Sequence, residues 1–147
     1  MTTMPSSDTI KLLKECNAGV KTAVASINEV LNHAKDEKLK NVLEQSIKEH
    51  EVIGKAIHKK LNQFHETDKE PNPMAKAMSW AKINTKLLIN HSDATIADLI
   101  IDGCNMGIKS LNRYENQYLM AEPVATEYTH QLITIEDQLS NNLKPYL

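Results

Sequence analysis

Apolar residues recur along most of this chain at alternating spacings of three and four, the period that lays one oily stripe on a helix. Strand alternation is absent, and only 4 Gly and 5 Pro interrupt the pattern. The spacing predicts a first helix over residues 9–34, with the stripe Ile10, Leu13, Asn17, Val20, Val24, Ile27 and Leu31. Lys35-Asp36 reverses the chain into a second helix over 37–65, striped by Leu39, Leu43, Ser46, His50, Ile53, Ile57 and Phe64. After the polar run 66–71, Asn72-Pro73 supplies an N-cap and a proline at the first helical position, which opens a third helix over 74–89. Ser92 or Asp93 caps a fourth, over 94–118, whose seam reads Ile96, Ile100, Gly103, Gly107, Ser110 and Tyr114. A fifth starts at Pro123, carries Ala125, Tyr128, Leu132, Ile135, Leu139 and Leu143, and stops by Pro145.

Four of these helices are long, roughly 33 to 43 Å at about 1.5 Å per residue, whereas the third reaches only about 24 Å. A short helix behind a polar loop can climb from the end of the second helix to the start of the fourth. The lengths therefore predict an all-α, ferritin-like four-helix bundle with a short crossover helix between helices 2 and 4. A five-helix up-and-down bundle is the competing layout.

Composition narrows the partners. At 147 residues the chain suits one domain, 1–147, with a core that needs no staple. A formal net charge of −2 gives neither a basic footprint for nucleic acid nor an acidic tail. Cys16 and Cys104 form no C-x-x-C pair and no disulfide framework, which fits a reducing, cytoplasmic setting. No apolar run approaches the length of a membrane span or of a signal-peptide core, so no membrane partner is expected.

The segment Ile96-Ala97-Asp98-Leu99-Ile100-Ile101-Asp102-Gly103-Cys104-Asn105-Met106-Gly107-Ile108-Lys109-Ser110-Leu111 is the most distinctive stretch of the chain. With Arg113-Tyr114, Asn116-Gln117-Tyr118, the earlier Met78-Ser79-Trp80 and the closing Leu143-Lys144-Pro145-Tyr146-Leu147, it resembles an uncharacterised bacterial family of small ferritin-like four-helix proteins. The resemblance implies a ferritin-like fold and a domain of unknown function, and supplies no activity.

Candidate chemistry is thin. Ferritin-like proteins that handle iron or manganese draw inward carboxylates from four helices, with Glu-x-x-His on two. One such motif exists, Glu127-Tyr128-Thr129-His130, but the stripe of its helix turns Glu127 and His130 away from the bundle centre. The second helix has Glu49-His50-Glu51, yet position 47 is Ile, so no glutamate precedes His50 by three. The remaining seams read as free of carboxylates, and Glu15, Glu29, Glu44 and Glu115 read as solvated charge. No metal and no cofactor are expected. A degenerate or unconventional di-metal site is the alternative.

His50 is the exception, because it falls inside a seam. It reads either as a core histidine satisfied by Ser46, Asn17 or Tyr114, or as one wall of a polar pocket with Asn17 and Met106 that receives a small ligand. Gly103 and Gly107 read as room for close packing, against Trp80 for instance, or as a contact in a homodimer. Cys16 and Cys104 have no base aimed at their sulfurs and read as small hydrophobes. His58 and His65 share an exposed face, too far apart for one metal ion. The functional expectation is a non-catalytic bundle that binds a protein or a small ligand.

Overall fold

The computed structural model describes residues 4–71, 83, 86, 87, 90 and 92–147. Among these residues there is no strand. Four long helices, α1 (Ser7–Leu31), α2 (Glu37–Gln63), α3 (Asp93–Gln117) and α4 (Pro123–Leu143), are followed by a 3-10 turn, Lys144–Tyr146. The expected first, second, fourth and fifth helices thus form as α1 to α4. The expected third lies largely outside the described residues, as do Asn72-Pro73 and Trp80. Of it, Ile83, Lys86 and Leu87 are helical, and Ile83 and Leu87 are buried in the core.

The helix starts follow from local chemistry. Ser6, Asp36 and Ser92 each accept a hydrogen bond from the backbone N–H three residues on, which satisfies one of the donors a helix leaves open at its first turn. Pro123 opens α4 with its φ already set, and Glu122 makes no side-chain cap there. α2 ends on His65, which takes φ 59°. The Glu66 N–H donates to the Leu61 carbonyl at 2.9 Å and the His65 N–H to that of Asn62 at 3.0 Å, the paired bonds of a Schellman cap.

Hydrogen bonds at the two ends fix the directions. The Lys35 and Asp36 N–H groups donate to the Asp93 carboxylate at 2.9 and 3.0 Å, so α3 starts beside the α1–α2 turn. At the other end, the Met120 N–H donates to Asp8 at 2.9 Å and the Glu122 N–H to Thr9 Oγ1 at 2.8 Å, so the α3–α4 turn lies beside the start of α1. α2 and α3 consequently point the same way, and the chain from 64 to 92 connects opposite ends of the bundle. α1 and α4 each pack on the other three helices, while α2 and α3 face each other across the bundle and barely meet. As the chain leaves α2 it is tied across α1 by charge: Glu66 to Lys14 at 3.0 Å, Asp68 and Glu70 to Lys21 at 3.5 and 2.7 Å, and Lys69 to Glu15.

The apolar core is in two parts. One cluster, toward the α1–α2 turn, includes Ile27, Leu39, Leu43, Ile96, Ile100, Cys104, Leu139 and Leu143. The other, toward the α3–α4 turn, includes Leu12, Cys16, Val20, Ile53, Ile57, Leu111, Ala125 and Leu132. Among the described residues, no helix is long and apolar enough to cross a membrane.

Two stripes differ from the sequence expectation. In α4 the buried face is Ala125, Thr129, Leu132, Glu136, Leu139, Ser140 and Leu143, with Tyr128 and Ile135 only half-buried. In α3 it is Ile96, Ala97, Leu99, Ile100, Cys104 and Leu111, with Gly103 exposed and Gly107 half-buried. Spacings of three and four drawn to either side of a shared seam are equally regular. In α4 the sequence reading followed the more apolar option and the fold took the one that lets a polar pair meet in the core, whereas in α3 the fold buries the more apolar side, with Leu99, Cys104 and Leu111.

Candidate functional site

A polar layer separates the two apolar clusters. On α2 it is His50, between Leu43 of one cluster and Ile53 of the other. On α4 it is Glu136, between Leu139 and Leu132, and on α3 it is Gly107, between Cys104 and Leu111. His50 is 0% exposed and Glu136 is 7% exposed, yet both are polar and ionisable.

Their hydrogen bonds define the protons. His50 Nδ1 lies 2.7 Å from the Ser46 carbonyl oxygen, which can only accept, so Nδ1 carries a hydrogen. Ser46 Oγ stands 3.3 Å from the same nitrogen. His50 Nε2 meets Glu136 Oε1 directly. With Nδ1 committed as a donor, the pair has two forms: imidazolium donating to carboxylate, or carboxylic acid donating to imidazole. Burial by itself lowers the imidazole's affinity for its proton. The bond to Glu136, its negative charge and the Ser46 carbonyl outweigh that, and hold the His50 pKa above its ordinary 6.5. Below pH 6.5 the ring therefore carries both protons.

The rest of the layer serves the carboxylate. Glu136 Oε2 lies over Gly107, where a Cβ would come within 3.4 Å of it. Gly107 thus gives the carboxylate its space. Cys104, one turn earlier on α3, is buried close to Glu136. Its thiol pKa is pushed far up, by burial first and by the Glu136 charge next, so it stays protonated.

The sequence-predicted site comes together only in part. His50 occupies the interior as expected. Asn17 is also buried, at 3% exposed, but it sits among the second cluster, beside Cys16 and Val20, and its Oδ1 has no hydrogen-bond partner. Met106 is 67% exposed: with Cys104 on the buried face of α3, position 106 is turned outward and cannot line an interior pocket with His50. Of the partners expected for His50, Ser46 is realised. The principal one, Glu136, was missed because position 135 is Ile and drew the stripe to itself. The signal that could have found it is the heptad run Ala125, Thr129, Leu132, Glu136, Leu139, Leu143 with a histidine on the facing helix.

The other candidates fall as read from the sequence, with one correction. Glu127 and His130 are exposed, and His130 pairs with Glu115 at the surface. His58 pairs with Asp68. Cys16 is buried against Thr129 Oγ1 at 3.3 Å, and burial lifts its thiol pKa to about 11. The correction concerns the seams expected to hold no carboxylate, because Glu136 stands in one. Among the described residues, no three His, Cys, Asp or Glu side chains are placed to hold one metal ion.

Outside the layer, the seam between α2 and α4 opens as a groove of about 270 Å³. Its walls carry four carboxamides, from Asn41, Gln45, Gln138 and Asn142, and the Glu49 carboxylate. Val42 and Leu139 form the apolar part of the lining, and Ser46 stands at its inner edge.

No protein-family model matches the chain, and neither do the curated proteins or the solved structures with which it was compared.

Proposed function

We propose that this protein is a non-catalytic, ferritin-like helical bundle that acts by binding another protein, a second copy of itself or a small molecule. The parallel course of α2 and α3, with the end of one and the start of the other at opposite ends of the bundle, supports the ferritin-like connectivity, as does the resemblance carried by the α3 segment. The buried, unpaired cysteines suit a cytoplasmic setting.

The observation that carries the reading is the closure of the polar layer. His50 spends both ring nitrogens on Ser46 and Glu136, and both side chains lie between the two apolar clusters. A general base or metal ligand needs a lone pair facing open space, and the His50 ring presents none. What remains open to solution is the α2–α4 groove and the helix surfaces, which are places for recognition.

The test is native mass spectrometry, joined to elemental analysis, of protein purified without chelator. We expect metal well below one ion per chain, together with a retained small molecule or a second copy. Two iron or manganese ions per chain, or a bare monomer in every preparation, would overturn the proposal. The first result would move the protein to the metal-handling members of the ferritin-like class.

A further inference from the structure

We infer that the groove between α2 and α4 is a site for a small organic amine, an inference that rests on the binding reading above. The chemistry of its walls selects the ligand. The groove is lined by four neutral amides, one carboxylate and, among the described residues, no lysine, arginine or histidine. The neighbouring positions on α2 outside it include Lys38, Lys40, Lys48 and Lys55, so a cation-free lining departs from the rest of that helix. An anion would meet Glu49 with nothing to pair it. An ammonium group meets Glu49 as a charge-assisted partner and the amide carbonyls as acceptors.

Size and floor agree with that choice. A volume of about 270 Å³ sits at the small end of ligand sites, enough for a compact amine and too little for a nucleotide. Val42 and Leu139 give a short alkyl chain an apolar surface to lie on. Glu49 is held toward the groove by Gln45, whose Nε2 donates to it at 3.4 Å.

Ser46 connects this site to the interior. It lines the groove, and its carbonyl and hydroxyl hold His50 Nδ1. An occupant that moves Ser46 is therefore reported by the ring nitrogen of His50, a group it never touches.

The probe is propylammonium chloride, added at neutral pH to ¹⁵N-labelled protein, with sodium propionate as the anion of matched chain length and sodium chloride for ionic strength. We expect saturable shifts of the side-chain amides of Asn41, Gln45, Gln138 and Asn142, accompanied by a shift of His50 Nδ1. Propionate should produce neither. Glu49→Gln should weaken the amine about fivefold or more, since a charge-assisted contact is lost, while the helical circular dichroism stays as in the parent. Shifts that never saturate, that propionate reproduces, or that Glu49→Gln leaves unchanged would overturn the site. Saturable shifts on another face would sink the groove and leave the binding reading standing; the mass spectrometry above decides that reading separately.

Discussion

At the residue scale, removing one member of the His50–Glu136 pair and removing both have different expected costs. A buried pair broken on one side loses about 3–5 kcal/mol, because the survivor stays buried without its partner. His50 can shed its proton, so Glu136→Leu should fall at the lower end of that range. The double variant His50→Leu with Glu136→Leu replaces two desolvated charges by apolar groups of similar bulk. It should cost clearly less than the sum of the singles, and urea unfolding of the four proteins in the cycle measures the difference.

The raised His50 pKa also sets a pH dependence. A group that holds its proton more tightly when folded contributes stability that is complete below its unfolded value, here 6.5, and is lost as pH rises through the folded value. Melting temperatures should therefore decline on the alkaline side of pH 6.5 in the parent protein, and should do so less steeply in His50→Leu. A cheaper gain lies at His65, whose left-handed φ of 59° costs any residue with a Cβ. His65→Gly should raise stability by a few tenths to about 1 kcal/mol, part of the relief being returned through the freer unfolded chain.

At the scale of elements, the glycines separate packing from propensity. A Cβ on Gly54 would stand 2.9 Å from Val20 Cγ1, so Gly54 makes room for Val20 of α1 and Gly54→Ala should destabilise. Gly103 is exposed, and among the described residues nothing lies within 4 Å of where its Cβ would be. Gly103→Ala should therefore stabilise α3 by up to about 1 kcal/mol, the ordinary propensity difference. Chemical denaturation of the two variants should move in opposite directions. The sequence grouped Gly103 with Gly107 because they share a spacing of four. Only the structure separates them, since Gly107 faces Glu136 and Gly103 faces outward.

The same elements show what was legible in advance. The α2 stripe of Leu39, Leu43, Ser46, His50, Ile53 and Ile57 was readable because every Lys and Glu of the helix lies off it. In α4 the shared seam of Ala125, Leu132 and Leu139 is flanked by Tyr128 and Ile135 on one side and by Thr129 and Glu136 on the other. Hydrophobicity alone chooses the first flank. The preference for the second comes from a partner 86 residues away in sequence, His50, and no local pattern carries that information.

At the scale of the molecule, the relative lengths of the helices suggested a crossover between the second and fourth helical segments, and the end-to-end hydrogen bonds place the end of α2 and the start of α3 at opposite ends of the bundle, as that crossover and the five-helix layout both require. Asp93 is the residue that seats the start of α3 on the α1–α2 turn, accepting two backbone N–H groups at once. Asp93→Ala should cost about 1–2 kcal/mol and speed amide exchange at Lys35 and Asp36. The segment after α2 is held differently, by exposed ion pairs to Lys14, Glu15 and Lys21 that salt screens. Raising ionic strength should accelerate exchange over residues 66–70 and leave the helices unchanged.

The claim on which the rest depends is that the polar layer is closed, with His50 donating from both ring nitrogens. Ring ¹⁵N shifts of His50 at pH 6, recorded in metal-free protein before and after addition of stoichiometric ferrous or manganous ion, examine it directly. The account predicts two protonated nitrogens and spectra that the metal does not change. A ring with a free Nε2 lone pair, or a His50 signal lost on addition of metal, would contradict it.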